Sequence, residues 1–201
     1  MRVIRYGAWA AVAALSLIIA VVYAVNGQSR DGGAGASASA IGGPFTLTTH
    51  EGKKLSSEEL KGKPFAVFFG FTYCPEVCPT TLLELSQTIK ELGAAADGMR
   101  FLFISIDPER DTPTVLGTYL SSFDPHITGL TGTPEEIAAA AKAYRVTYEK
   151  VPTSGGDYTM NHTALVYLMD EKGAFKGVLA LGVPPEKRLE KLKSLLGSSG
   201  T

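Results

Sequence analysis

Two cysteines separated by three residues are the part of this chain with the most specific chemistry. Cys74 and Cys78 lie in the stretch Thr72-Tyr-Cys-Pro-Glu-Val-Cys-Pro-Thr80. A thiolate is the form of cysteine that both binds soft metal ions and carries out thiol–disulfide exchange. A fully extended run would hold the two Cα atoms about 13 Å apart, whereas a disulfide needs about 4.4–6.8 Å. The loop must therefore fold back if the two sulfurs are to act together.

Each cysteine is followed by a proline, which disfavours helical conformation in the residue before it. We therefore expect both cysteines to lie on a loop that leads into the helix starting near Pro79. The dipole and the free N–H groups of a helix N-terminus stabilise a thiolate.

The elements around this loop predict an α/β domain of the thioredoxin-like class. The runs Phe65–Phe69 and Phe101–Ile106 are almost wholly apolar, which is typical of strands covered on both faces. Thr112-Pro113 and Thr133-Pro134 each place a capping residue before a proline and predict two helix starts. The remaining predicted elements are an opening hairpin, a short capped turn, a strand, a closing hairpin and a terminal helix, at residues 45–54, 56–60, 145–150, 164–181 and 184–196. The predicted fold is therefore thioredoxin-like, with an N-terminal hairpin and an inserted helix before the closing hairpin.

Three histidines are candidates for a third ligand. His50 and His126 fall in predicted turns or loops, and we expect both to be solvated. His162 directly precedes the strand Ala164–Leu168, a position that faces the cysteine loop in a thioredoxin-like fold. The residues alone leave open whether His162 is a ligand or a packed side chain. Two thiolates and one imidazole suit copper as Cu(I) or Cu(II), and zinc with a water as fourth ligand also fits them.

Other polar and aromatic residues near these positions have mainly structural interpretations. Asp107 is expected to accept hydrogen bonds in a turn, with a role beside the site as the alternative. Arg110 and Asp111 are expected to form a local ion pair or turn contact, and Met160 to pack in the core. Four aromatic residues are expected to form the core and the walls of the site: Phe68, Phe69, Phe71 and Tyr73.

Composition narrows the functional classes. The chain has 201 residues, 19 basic and 20 acidic side chains and a net charge of −1, which does not favour a nucleic-acid partner. Two cysteines exclude a disulfide-rich scaffold and a zinc site made of four cysteines from one chain.

The N-terminal segment predicts a membrane anchor. Gly7–Val25 has no charged residue and, at about 1.5 Å per residue, is about as long as the hydrocarbon core of a bilayer. Arg2 and Arg5 before it favour a cytoplasmic N-terminus, so the rest of the chain would lie on the extracytoplasmic, periplasmic side of the inner membrane. We expect an anchor at residues 1–30, a Gly/Ala/Ser linker at 31–43 and one folded domain at 44–201. A signal peptide cleaved near Ser37–Ala40 is the alternative.

Several motifs together resemble the Sco/SenC family. They are Phe69–Thr80 around the cysteines, Ser105–Pro113, Gly129–Thr133 and the segment containing His162. The resemblance implies a thioredoxin-fold protein that binds copper through Cys74, Cys78 and His162. It also implies that the protein assists assembly of the CuA centre of cytochrome c oxidase, with the CuA-bearing subunit as its partner. Asn161 stands where many members have an acidic residue, which leaves the ligand set intact but changes the surroundings of His162.

Two functions follow as hypotheses. The first is a membrane-tethered copper metallochaperone, which would also need an upstream copper donor. The second is a thiol–disulfide oxidoreductase that keeps the CuA cysteines reduced, in which His162 tunes the thiols and an upstream reductant restores them. A thiol peroxidase is disfavoured because Phe71 and Pro75, rather than Thr or Ser, stand three residues before the two cysteines.

Overall fold

A computed structural model describes residues 41–197 of the chain. The predicted membrane span at 7–25 and nearly all of the predicted linker lie outside the described residues. Within residues 41–197 there is no helix with the length and hydrophobicity needed to cross a bilayer.

A mixed seven-stranded sheet forms the centre of the domain. Its strands are β1 (Thr46–Thr49), β2 (Lys54–Ser56), β3 (Phe65–Gly70), β4 (Arg100–Ser105), β5 (Ile127–Thr131), β8 (Leu165–Met169) and β9 (Phe175–Ala180). They lie in the order β2-β1-β5-β4-β3-β8-β9, in which β3, β4 and β5 are parallel neighbours and β8 and β9 are antiparallel additions at one side. A separate two-stranded antiparallel sheet consists of β6 (Tyr148–Pro152) and β7 (Tyr158–His162).

Four α-helices connect these strands: α1 (Val77–Leu92), α2 (Pro113–Leu120), α3 (Pro134–Ala143) and α4 (Pro185–Gly197). Short 3-10 helices lie at Ser57–Leu60 and Gly93–Gly98. The order β3-α1-β4, followed by β8-β9-α4, confirms the thioredoxin-like class, and α3 is the predicted inserted helix.

Helix starts lie where the capping residues predicted them. The Thr112 hydroxyl accepts a hydrogen bond from the backbone N–H of Val115, with Pro113 as the first helical residue. Thr133 and Glu136 form a capping box at the start of α3. These local bonds satisfy N–H groups that have no partner within the helix.

The core forms around the apolar strands. All six residues of β3 are buried, as are five of the six residues of β4. The Phe68 and Phe103 rings lie 5.9 Å apart on these neighbouring strands. On α1, Leu82, Leu85 and Ile89 recur on one buried face at helical spacing. The cysteine loop therefore begins at the end of a fully buried strand.

Three parts of the structure differ from the sequence prediction, and one of them is strand β5, which was not predicted. Cys78 lies inside helix α1, which begins at Val77, so the prediction that both cysteines precede the helix was wrong for Cys78. Proline is tolerated at position 79 because a first-turn residue needs no intrahelical N–H bond. The pairing of β6 with β7 was also missed, and it places His162 at the end of a strand rather than in a loop.

Candidate metal centre

The structure brings Cys74, Cys78 and His162 together. Their ligand atoms all lie within 4.8 Å of one another, and the Cys78 Sγ to His162 Nε2 distance is 3.6 Å. They are the only group of three or more His, Cys, Asp or Glu side chains with this arrangement in residues 41–197. Both cysteines are free thiols. A third ligand more than eighty residues from the cysteines in sequence thus completes a compact S₂N donor set.

Cys78 is held in a closely packed position by β3. Its side chain is fully buried, and its Sγ lies against the last residue of β3, Gly70. A Cβ atom at position 70 would lie 2.9 Å from this sulfur and 2.7 Å from the Phe103 ring. Glycine at position 70 therefore leaves the space that the sulfur occupies.

Cys74 is the more exposed and more acidic of the two thiols. A hydrogen bond from the Cys78 side chain is the main cause that lowers the pKa of Cys74 to about 4, against an opposing contribution from partial burial. The backbone N–H groups of Cys78 and Glu76 lower it further, and the Cys78 backbone nitrogen lies 3.3 Å from Cys74 Sγ. The first turn of α1 thus stabilises a thiolate on Cys74.

Cys78 shifts in the opposite direction. Its hydrogen bond to Cys74, together with burial, raises the pKa of Cys78 above that of a free thiol. The two sulfurs therefore share one proton at neutral pH, with the charge on Cys74. A soft cation that enters the site displaces this proton and gains two thiolate ligands.

The Nε2 atom of the His162 ring faces the Cys78 sulfur. Its Nδ1 lies 3.1 Å from the backbone carbonyl oxygen of Thr163. A carbonyl can only accept a hydrogen bond, so Nδ1 carries the proton and the Nε2 lone pair is directed toward Cys78. The rings of Phe71 and Phe68 lie 5.8 Å and 6.3 Å from the imidazole and restrict its position. This is the orientation that a metal-binding imidazole requires.

Asp111 fixes the start of the cysteine loop. Its buried carboxylate accepts hydrogen bonds from the Thr72 N–H at 3.0 Å, from the Thr72 hydroxyl at 2.6 Å and from the Ser105 hydroxyl at 2.6 Å. Burial raises the pKa of Asp111, while these hydrogen bonds act in the opposite direction. The sequence indicated only a local contact for Asp111, because nothing in the pattern joins residue 111 to residue 72.

Arg110 forms a local ion pair with Asp107 rather than with Asp111, so the predicted pairing of Arg110 with Asp111 was wrong. Arg110 and Asp107 also reach the strand that carries His162. Arg110 Nε lies 2.5 Å from Asp107 Oδ2, and the Tyr158 hydroxyl donates to Asp107 Oδ1 at 2.8 Å. The backbone carbonyl of Asp107 accepts turn hydrogen bonds, as predicted. Of the four aromatic residues predicted for the core and the site walls, Tyr73 is not in the core, because its side chain is 60% exposed and lies under the Arg110 guanidinium.

The other residues considered from the sequence lie elsewhere. His126 is exposed, as predicted, and contacts Asp124 and Asp97. His50 is half-buried, and its Nδ1 accepts a hydrogen bond from the Gly129 N–H at 3.0 Å, so the solvated prediction was wrong for His50. Met160 is buried in the core, which confirms its packing role.

A polar cleft of about 320 Å³ opens beside the donor set. It is lined by Thr147, Tyr148, Glu149, Asn161, His162 and Thr163. His162 therefore forms part of the wall of a solvent-accessible cleft.

Fold and donor set together define a thioredoxin-like protein with a Cys₂His site at the N-terminus of its first long helix. A family model described as SCO1/SenC matches residues 33–197. The chain belongs to the SCO1/SenC family, as its motifs indicated.

Among its relatives is the mitochondrial SCO1 homolog of Homo sapiens, which is 39% identical over 166 residues. That match covers 77% of this chain and 55% of the human protein, so the chain spans about half of that relative's length.

Many solved structures are similar over most of the chain, and two Sco proteins are among them. ScoI of Bradyrhizobium japonicum with copper bound is 53% identical, with a TM-score of 0.74, and the match covers 78% of this chain and 99% of ScoI. BsSco is 27% identical with a TM-score of 0.63, and the match covers 79% of this chain and 94% of BsSco. BsSco is described as having a disulfide switch and as a member of the Sco family of cytochrome c oxidase assembly proteins.

Proposed function

We propose that this protein binds copper through Cys74, Cys78 and His162 and transfers it to the CuA-bearing subunit of cytochrome c oxidase. The observation that carries the proposal is the convergence of two sulfurs and one imidazole nitrogen within 4.8 Å. Thiolates favour Cu(I) and imidazole suits Cu(II), so this donor set can hold copper in either state. The copper-bound structure of ScoI supports the same chemistry here.

Transfer by ligand exchange is consistent with the exposure of the donors. Cys74 is half-buried and Cys78 is fully buried, so an incoming thiolate or imidazole can reach the metal from the Cys74 side. Three protein ligands also leave one position open for this exchange.

The proposal includes the organisation of the whole chain. Residues 1–30 would anchor the protein in the inner membrane, and residues 31–43 would tether the domain at 44–201 on the extracytoplasmic side. This tether would raise the effective concentration of the domain near a membrane-embedded oxidase. An upstream donor would supply the copper.

The direct test is copper affinity of the reduced, purified full chain, measured by competition with a chelator. His162→Ala should lower the affinity by roughly 10- to 100-fold, as expected for the loss of a metal-site imidazole or its support. The matched control is His126→Ala, because the His126 side chain is exposed and its ring contacts the carboxylates of Asp97 and Asp124, not a cysteine. Equal affinities for His162→Ala and His126→Ala would exclude His162 as a ligand.

A second candidate function, thiol–disulfide exchange, is favoured by the unequal thiols. Cys74 is accessible with a pKa of about 4, whereas Cys78 is buried with a raised pKa. The Cys74 thiolate would attack one sulfur of a partner disulfide and release a partner thiolate. The Cys78 thiolate, after losing its proton, would then attack Cys74, forming the Cys74–Cys78 disulfide and releasing the second partner thiol. The two electrons come from this dithiol, and an upstream thiol reductant restores it.

This exchange is tested with an oxidised CuA-domain peptide and no copper. The reduced full chain should form free peptide thiols, and Cys78→Ser should accumulate a mixed disulfide through Cys74. Cys74→Ser should accumulate none, because the remaining thiol is buried. No peptide thiols with the unmodified chain would remove this function and leave copper binding untouched.

A further inference from the structure

The β6–β7 hairpin that carries His162 is not part of the main sheet. Its two strands pair only with each other in the described part of the chain, while the cysteines follow β3 in the seven-stranded sheet. On its inner side the hairpin packs through the buried Met160. The distance between His162 and the two sulfurs therefore depends on side-chain contacts rather than on a shared strand ladder.

Arg110 makes two polar contacts between the hairpin and the rest of the domain. Its Nη1 donates to the Tyr158 carbonyl oxygen at 2.9 Å and lies 3.2 Å from Asp157 Oδ1. Its Nε bonds to the fully buried carboxylate of Asp107, which also accepts from the Tyr158 hydroxyl. The Arg110 guanidinium thus joins the β4–α2 loop to Asp157 and Tyr158, at the start of β7.

The same guanidinium also contacts the cysteine loop. Its Cζ lies 3.7 Å from the Tyr158 ring centroid and 4.6 Å from the Tyr73 ring centroid. Tyr73 is adjacent in sequence to Cys74, and Tyr158 lies on the strand that ends at His162. Cation–π contacts of this kind favour Arg over Lys, because the planar group packs on both rings while its N–H groups donate at the edge.

We infer that Arg110 is a positioning residue that holds the His162 hairpin against the cysteine loop and so maintains the three-ligand arrangement. The inference rests on the proposed copper site, and it adds a residue that contacts none of the three ligand atoms. Loss of Arg110 would release the hairpin, so that copper keeps its two sulfurs and loses the imidazole.

Lys150 provides a matched control on the same hairpin. Its Nζ lies 4.6 Å from the Tyr158 ring centroid and 2.6 Å from Glu109 Oε2, so it also joins the hairpin to the β4–α2 loop. The Lys150 side chain is 45% exposed, against 16% for Arg110. Among the cation–ring contacts of the described residues, Arg110 contacts the Tyr73 ring and Lys150 does not. An exposed pair of this kind contributes little to holding two elements together.

The experiment compares Arg110→Gln with Lys150→Gln in the reduced full chain, with and without His162→Ala. Arg110→Gln should lower copper affinity by roughly 10- to 100-fold, as the loss of support for a ligand does. It should also remove the nitrogen hyperfine signal of the Cu(II) form. Lys150→Gln should stay within about twofold of the unmodified chain, because an exposed ion pair contributes little to holding two elements together. In the His162→Ala background, Arg110→Gln should cause no further loss of affinity.

A second readout requires no metal. Amide hydrogen exchange across β6 and β7 should become faster in Arg110→Gln and stay unchanged in Lys150→Gln, while exchange in β3 and β4 stays slow in both. Arg110→Lys keeps a cation beside Asp107 and should give the same hairpin-specific change. It therefore replaces Arg110→Gln if the uncharged variant does not fold.

The two failures are distinguishable. If His162→Ala leaves copper affinity unchanged, the proposed site is wrong, and hydrogen exchange alone decides the role of Arg110. If Arg110→Gln weakens copper binding further in the His162→Ala background, or leaves hairpin exchange unchanged, Arg110 does not act by positioning His162.

Discussion

Gly70→Ala perturbs the site through a single methyl group placed behind Cys78. The new Cβ atom would lie 2.9 Å from Cys78 Sγ, 2.7 Å from Phe103 Cε2 and 3.2 Å from Phe103 Cζ. Real Cβ atoms do not approach heavy atoms to less than 3.0 Å, so the sulfur, the ring or the end of β3 must move. Both neighbours are fully buried, which leaves little room for relaxation.

The expected cost follows from this overpacking. Added methyl groups in well-packed cores cost about 1–3 kcal/mol, and two close contacts place this one at about 2–3 kcal/mol. For a chain of this length that lowers Tm by roughly 4–12 °C. The displaced sulfur no longer fits the donor set, so copper affinity should fall about tenfold.

The assay is thermal unfolding of the reduced apo full chain together with copper competition. Gly117→Ala is the matched control, because its Cβ would come no closer than 3.7 Å to a side chain and it lies in helix α2. That substitution should stabilise the protein by up to about 1 kcal/mol through helix propensity and leave copper affinity unchanged. The packing argument is refuted if Gly70→Ala retains both the Tm and the copper affinity of the unmodified chain.

Three further predictions concern the thiols and the contacts around them. Because the pKa of Cys74 is lowered to about 4, its thiolate persists as the pH falls from 9, and alkylation of Cys74 should slow only near pH 4. The buried Cys78 should stay unmodified throughout, as mass spectrometry of the alkylated chain can report. Thr72→Val removes the 2.6 Å hydrogen bond to the buried Asp111 and should lower the free energy of unfolding by about 1–2 kcal/mol in urea; no change would mean that this bond does not hold the loop. Arg188→Met leaves the Glu84 carboxylate, 3.1 Å from Arg188 Nη1, without its cation and should lower the free energy of unfolding by about 2–3 kcal/mol in urea, while copper affinity stays constant. A fall in copper affinity would contradict the separation of this pair from the site.

Much of the fold was predictable because its signals are local. Thr112 and Thr133 cap helices through bonds within three residues, and the apolar runs of β3 and β4 require burial on both faces. Strand β5, Ile127–Thr131, was missed because it is short and contains a glycine. The β6–β7 pairing was missed because neither strand is continuously apolar and both lie outside the main sheet.

The candidate site was predictable only as a set of residue types. The residues alone identified the two cysteines and left the role of His162 open, and the resemblance to the Sco/SenC family implied the three donors. The sequence does not determine which thiol is buried. The burial of Cys78 depends on its contact with Gly70 and on the start of α1 at Val77. Both arise from tertiary packing. For Arg110 the sequence predicted only a local contact, because Tyr73 and Tyr158, which it contacts, lie far from it along the chain.

X-ray absorption of the copper-loaded, reduced full chain measures the coordination directly. The proposed site predicts one copper per chain with two sulfur neighbours and one imidazole nitrogen, and the loss of that nitrogen in His162→Ala but not in His126→Ala. A spectrum with two sulfurs and no imidazole in the unmodified chain, or one that His162→Ala leaves unchanged, would contradict it.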